Sequence, residues 1–357
     1  MNNLKKNCSI NKYNKTMTNK IVRSICIFDS KPSGDSVKTL AYVESVLLKA
    51  GFQIQTKRLC TKPTSPFSLD RSFGNIFDRI AIGRLSLDRA SKYFDEFINS
   101  DMVNFTMDLT EEAPTIEHLN LLKRIIKIKP SNTFNFSFVF NNENSSPYFP
   151  SAQYERDGFS IGLELTDLAE KSLSLRHWFS QMETVWKEIY DLFKDDKKFL
   201  GIDSSIAPLF YGKSSLINFV KRLGLSFPES CLSDIYTQIT RFIKSNNPKP
   251  VGLCGLMLPC LEDFELADEY EKGNFDIKTN LFLSLHSGLG IDTYPIGIDE
   301  KDNTIISIIK LVQALSQKYT KPLSIRFVSD GKAKIGERTD FQNKYLKDVT
   351  IKPLITL

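Results

Sequence analysis

The sequence predicts an α/β protein built on a largely parallel sheet, open or closed, and three observations carry that expectation. Short apolar runs alternate with longer stretches of helical period from about residue 21 onward. The stretches between runs are long enough for crossover helices, as neighbouring parallel strands require. Glycine, proline and acidic residues recur where the apolar runs end, which is where such sheets meet ligands.

Taken in order, Ile21 to Asp29 reads as a buried strand, and Asp35 to Ala50 as a helix whose Val37, Leu40, Ala41, Leu47 and Leu48 share a face before the C-cap glycine Gly51. Phe52 to Cys60 is the next strand, and Arg79 to Gly83 a third apolar run ahead of a polar helix over Leu87 to Asn99. Met102 to Leu109 is a further strand. Pro114 opens a helix striped by Ile116, Leu119, Leu122, Ile125 and Ile126. Phe134, Phe136, Phe138 and Phe140 alternate with Asn135, Ser137 and Val139, the period of a strand with two unlike faces. The Asn/Ser cluster 141–146 with Pro147 and Pro150 marks a loop before the strand Phe159 to Leu165. Helices are expected over Leu168 to Phe193, Ser214 to Arg222, Cys231 to Lys244, Glu262 to Tyr270, Phe275 to His286 and Asn303 to Tyr319, the last apolar on most sides and so buried. Runs at Pro250 to Leu258 and Leu323 to Val328 complete the alternation.

With 357 residues, 41% of them hydrophobic and 25% charged, the chain has ample core for one large domain or two modest ones. No internal repeat or linker divides it, and only the proline-bearing stretch near residue 250 offers a boundary, so a single α/β domain over 21–357 is expected after a disordered leader at 1–20. In the first twenty-three residues Lys5, Lys6, Lys12, Lys15, Lys20 and Arg23 meet no acid and account for most of the net charge of +5. The body carries no dense basic stripe, so no nucleic-acid partner is expected. No apolar run has the length of a signal-peptide core or a membrane span, so the expectation is a soluble protein with no membrane association. Six scattered cysteines without a CxxC pair fit a reducing compartment and a cytoplasmic location, and three dispersed histidines are too few for a histidine metal site.

Three turns hold candidate chemistry. In Gly201 to Pro208, Asp203 with Ser204 and Ser205 follows an apolar run; Asp203 is placed to orient a hydroxyl, take a proton or hold a metal, although an Asp-Ser-Ser turn equally caps a helix. In Gly255 to Asp263, Glu262 and Asp263 stand near a helix N-terminus, as dipole-stabilised caps or as a catalytic carboxylate. In Ser284 to Pro295, His286, Ser287, Gly288, Gly290, Asp292 and Thr293 form a helix end with two glycines, where backbone N–H groups can approach a ligand. Arg326, with Gly331, Lys332 and Lys334 beyond it, is a candidate anion holder or part of a solvated basic loop. Gly212-Lys213-Ser214 ends like a phosphate loop, but Ala207 stands where that loop needs glycine, and no nucleophile elbow, zincin helix or dinucleotide fingerprint occurs.

Read in sequence, FPSAQYERDGFSIGLELTDLAE (149–170), GIDSSIAP (201–208), GLCGLMLPCLEDFELA (252–267), SGLGIDTYPIG (287–297) and KPLSIRFVSDGKAKIGERTDFQNKYL (321–346) resemble the uncharacterised family named domain of unknown function 711. The resemblance implies a large α/β barrel akin to that of pyruvate formate-lyase-like glycyl radical enzymes, with a loop threaded inside, and no established reaction. Glycyl radical chemistry is not expected. Arg326-Phe-Val-Ser-Asp-Gly331 lacks the radical-glycine spacing, Cys254 and Cys260 are not adjacent, and Gly288 stands where many relatives carry a Cys-Gly-Thr-Gly type of turn.

The leading expectation is an enzyme acting on a small polar or anionic metabolite, with Asp203, Glu262, Asp263 and Asp292 converging at the carboxyl ends of barrel strands and Gly255 among the ligand-facing residues. A divalent cation held by Asp203 with Glu262 or Asp263 is compatible with hard oxygen ligands. The alternative is a metabolite-binding or regulatory protein using the same turns without catalysis. An assembly role rests only on 26 phenylalanines, and a homodimer is compatible with every reading.

Overall fold

The computed structural model describes residues 20–355, so the expected leader lies almost wholly outside the described residues. The strands are β1 (Ile21–Phe28), β2 (Gln53–Ile54), β3 (Lys57–Cys60), β4 (Arg79–Leu85), β5 (Val103–Asp108), β6 (Phe136–Phe140), β7 (Gly158–Leu163), β8 (Phe199–Asp203), β9 (Gly290–Pro295) and β10 (Leu323–Val328). They form one mixed ten-stranded sheet in the order β8-β7-β1-β3-β4-β5-β6-β10-β9, with β2 pairing on β1.

Two parallel sets meet in this sheet. β1, β3, β4, β5 and β6 run parallel to one another. β7 pairs antiparallel with β1 and parallel with β8, and β10 pairs antiparallel with β6 and parallel with β9. The sheet's two end strands, β8 and β9, are each linked by isolated parallel bridges to the stretch 250–259, through Ile202 to Pro250 and Leu256 to Gly288, with Pro259 reaching Asp292. That stretch, expected to be a strand, has no regular ladder. Its Gly252 adopts φ +74° and Cys254 φ 42°, a geometry no extended strand permits.

One face of the sheet is covered by the crossover helices, and side-chain alternation separates it from the other. On β1, Ile25 and Ile27 join the main core with Leu40, Val43 and Leu47 of the helix Gly34–Lys49. Cys26 and Phe28 point the opposite way, into a smaller cluster with Cys60, Ala81, Ala152 and Leu200. That inner cluster exists because the loop after β6 passes through it: Ser145, Ser146, Tyr148 and Ala152 are buried. β6 is buried along its whole length, yet its two faces are unlike, as its alternation predicts: Phe136, Phe138 and Phe140 enter the main core and Ser137 faces the other way.

Several boundaries differ from expectation for local reasons. The long helix begins at Leu175, where Ser174 accepts the N–H of His177 as an N-cap, and not at Leu168. The expected Cys231 to Lys244 helix is two, Phe227–Cys231 and Ile235–Ser245, with Pro228 starting the first turn of the shorter one. The helix Pro66–Phe73 had no apolar stripe long enough to announce it. The helix Asp302–Tyr319 buries Ile305, Ile308, Ile309 and Val312, but Leu311 is 46% exposed, so it lies on the surface of the sheet layer rather than inside. Where the sequence predicts a helix end with two glycines, β9 begins: Gly290 (φ +107°) is its first residue, and an added Cβ would stand 2.1 Å from the carbonyl oxygen of Ser324. The glycine serves close strand approach, not helix termination.

No helix among the described residues is long and apolar enough to cross a membrane.

Candidate functional site

A cavity of about 680 Å³ lies against the inner face of the sheet, a size suited to a small metabolite. Its wall draws on the amino ends of the first strand set: Arg23 of β1, Thr56 and Arg58 at β3, Arg79 at β4, Met102 and Asn104 at β5, and Phe134 and Ser137 at β6. It draws equally on the second set: Ala207 to Phe210 beyond the carboxyl end of β8, Met257 to Pro259, Glu262, and Gly290 and Asp292 of β9 with Ser324 and Arg326 of β10 along those strands. The antiparallel relation of the two sets brings those opposite ends to one place. Tyr148 to Ser151 of the inner loop form another side, and the exposed Asp78, Asp101 and Lys344 stand at the mouth.

Alternation places the acidic wall. Gly290 and Asp292 on β9, and Ser324 and Arg326 on β10, face the cavity, while Ile291 and Ile325 between them enter the core. Arg326 is 6% exposed; its Nε donates to Asp292 Oδ1 at 2.6 Å and its Nη2 to Glu262 Oε1, with Phe134 stacked 4.8 Å from the guanidinium. Glu262 is also 6% exposed. Burial pushes its carboxyl pKa up and Asp292 adds to that, against the pull of Arg326. Glu262 Oε2 and Asp292 Oδ2 take no hydrogen bond from the described residues, so this wall offers two acceptors and sets one cation against two carboxyl groups.

The basic wall was not found from sequence. Arg58 and Arg79 are direct partners in the β3/β4 ladder, so their side chains leave the sheet side by side. Arg58 is 8% exposed and lies over the Phe149 ring; its Nε donates to Thr56 Oγ1 and its Nη1 to the Pro147 carbonyl, and Nη2 has no partner among the described residues. Burial, with Arg23 nearby, lowers its pKa to about 10. Arg79 donates one bond, to the Asp101 carbonyl. Neither guanidinium lies within salt-bridge distance of a carboxylate among the described residues, whereas Arg23 is paired with the buried Glu164 at 3.2 Å. Arginine inside a strand was the available signal, since a charged residue between apolar neighbours must find a partner or a solvated space.

The other expected site residues lie elsewhere. Asp203 is fully buried and accepts five hydrogen bonds: from the backbone and hydroxyl of Ser205, the hydroxyl of Ser146, and the N–H groups of Leu253 and Cys254. It ties the inner loop, the β8 turn and the 251–255 segment together behind the cavity wall. Ser204 donates to the Ile243 carbonyl. Asp263 caps the helix Phe264–Lys272 through the N–H groups of Glu265 and Leu266 and takes a third bond from Leu216; burial raises its pKa to about 7. Gly255 is packed against Leu289. Half-buried His286 pairs with the buried Ser287 at the end of its helix, and Thr293, inside β9 at φ 41°, accepts the Leu261 N–H through its hydroxyl. Gly288 carries the bridge to Leu256. Among the expected residues, Glu262, Asp292, Gly290 and Arg326 meet at the cavity.

The cation considered from sequence would need Asp203 beside Glu262 or Asp263. Their oxygens are directed to separate partners, and the described residues contain no group of three or more His, Cys, Asp or Glu able to hold a metal ion.

No curated protein matches this chain. The family model described as "Uncharacterised ACR (DUF711)" matches residues 98–343, a span that includes Glu262, Asp292 and Arg326 while Arg58 and Arg79 precede it. With that match covering more than half of its length, the chain belongs to the DUF711 family.

Proposed function

We propose that this protein is an enzyme acting on a small metabolite that carries at least one anionic group, bound in the cavity between the Arg58/Arg79 pair and the Arg326-braced carboxylates. The single observation that carries the proposal is the pair of adjacent arginines, one of them buried, that face the cavity without a carboxylate of the described residues within salt-bridge distance of either. Leaving a guanidinium desolvated and unpaired costs stability in the empty protein, and a bound anion recovers it. Arginine's planar fork suits a carboxylate or phosphate held by two parallel bonds.

Catalysis is assigned to Glu262. Its raised pKa brings a buried carboxyl closer to neutrality, where it can exchange a proton with a bound ligand through its unpartnered Oε2. Asp292 and Arg326 orient it. A protein that only binds the metabolite would use the same arginines, and the assay separates the two readings.

We further read the sheet as a closed barrel of the pyruvate formate-lyase-like type. The parallel bridges from β8 to the 250–259 stretch and on to β9, together with the buried loop after β6, support that reading.

The test begins with thermal shift in acetate, succinate, sulfate and inorganic phosphate. At least one anion should raise the melting temperature of the wild type and not that of Arg58→Met; an equal rise in both removes the arginine site. A metabolite extract incubated with the wild type and followed by mass spectrometry should lose a component that survives with Glu262→Gln. Equal consumption by both removes the role of Glu262, and anion binding without any consumption leaves the binding protein.

A further inference from the structure

The two walls of the cavity differ in sign, and this restricts the ligand further. On one side stand two guanidinium groups that make no ion pair within the described residues, Arg58 with no partner there for Nη2 and Arg79 with a single bond to a carbonyl and the more distant Asp78 and Asp101 at the mouth. On the other, two carboxylates share one guanidinium and keep one oxygen each, Glu262 Oε2 and Asp292 Oδ2, without a donor. Both Arg58 and Glu262 are more than nine-tenths buried, so each unpartnered atom has the cavity and not bulk solvent to turn to. The walls are close enough that Arg58 and Arg23 draw down the pKa of Glu262 against the effect of its burial.

A ligand that is anionic throughout satisfies the arginines but brings negative charge against the acidic wall, where like charges in a low-dielectric space repel strongly. A neutral polyol satisfies the acceptors and leaves the arginines unpaired. A molecule with an anionic group at one end and an ammonium group at the other satisfies both walls. Its ammonium donors match the two free carboxylate oxygens, and Phe210, whose backbone N–H meets the Glu262 carbonyl, presents aromatic surface that favours a cation.

We infer that the cavity recognises an amino-carboxylate, a small zwitterion whose carboxylate lies on Arg58 and Arg79 and whose ammonium lies between Glu262 and Asp292. This rests on the anion site proposed above and adds the cationic end.

Calorimetric titration of the full chain with three matched series tests it: amino acids from glycine to 6-aminohexanoate with the amine at the far carbon, the corresponding carboxylates without the amine, and the corresponding alkylamines. At one chain length the amino-carboxylate should bind about tenfold or more tightly than the carboxylate of equal length, equivalent to about 1.4 kcal/mol. Glu262→Gln should reduce that advantage to about twofold or less while leaving carboxylate binding in place, and Arg58→Met should weaken both series. Asp292→Asn serves as the second acidic variant, and urea midpoints measured alongside identify any variant that has lost its fold. Carboxylates that bind as well as amino-carboxylates at every length overturn the zwitterion inference and leave the anion site standing. Failure of both series, or alkylamines binding as tightly as the amino acids, overturns the inference by removing the arginine wall from recognition.

Discussion

Replacing Arg326 by methionine tests the electrostatics of the acidic wall. The variant keeps much of the side-chain volume and removes the one cation held between Glu262 and Asp292, both of which are bonded to it in the native protein. Two carboxylates then share a buried site, and the folded protein relieves their repulsion by keeping a proton on one of them. Holding a proton on a glutamate with an ordinary pKa near 4.3 costs about 5 kcal/mol at pH 8 and about 1 kcal/mol at pH 5. A carboxyl whose folded pKa stands above its unfolded value binds more protons folded than unfolded, so its contribution to stability falls as pH rises from the ordinary carboxylate range through the folded pKa. Burial already raises Glu262 in the wild type, so part of that slope is shared. The deficit of Arg326→Met relative to wild type is therefore expected to grow by about 2–3 kcal/mol between pH 5 and pH 8, the larger part of the about 3–5 kcal/mol typical of breaking a buried ion pair. Urea unfolding of both proteins at the two pH values measures it, and Arg326→Met combined with Glu262→Gln should recover the pH-dependent part. A deficit that is equal at pH 5 and pH 8, or below about 1 kcal/mol at pH 8, refutes the argument.

Two further outcomes follow from the buried aspartates. Asp263, raised to about 7 by burial, has the same sign of linkage: its contribution is lost as pH rises from about 4 toward 7, so Asp263→Asn should gain on wild type between pH 5 and pH 8, while Asp263→Ala loses the cap at a cost of about 1–2 kcal/mol. Parallel melting curves check both. Asp203→Asn leaves one acceptor oxygen for donors that use two, and each stranded buried donor costs about 1–3 kcal/mol. Limited proteolysis should then cut the inner loop between Asn141 and Tyr154 faster than in wild type, and an unchanged cleavage rate counts against Asp203 as the anchor of that loop.

The sequence by itself determined the α/β class, most of the elements and one wall of the site. Periodicity reports which face of a strand or helix is apolar, and the Gly, Pro and acid signals at 255–263 and 288–292 led to Glu262 and Asp292, while Arg326 stood out on its strand. It could not assign Asp203 and Asp263. An acid that caps a helix or ties loops together and an acid that faces a ligand look alike in one dimension, and only the direction of their hydrogen bonds separates them. The basic wall was missed for a different reason. In an all-parallel sheet ligands gather at the carboxyl ends of strands, so Arg58 and Arg79, at the amino ends of β3 and β4, were passed over. The tertiary structure decided otherwise by setting β7 and β10 antiparallel to β1 and β6, which lays the carboxyl ends of one strand set beside the amino ends of the other. Strand direction across non-local pairs is a property of the assembled sheet, and with it came the juxtaposition of opposite charges that defines the cavity.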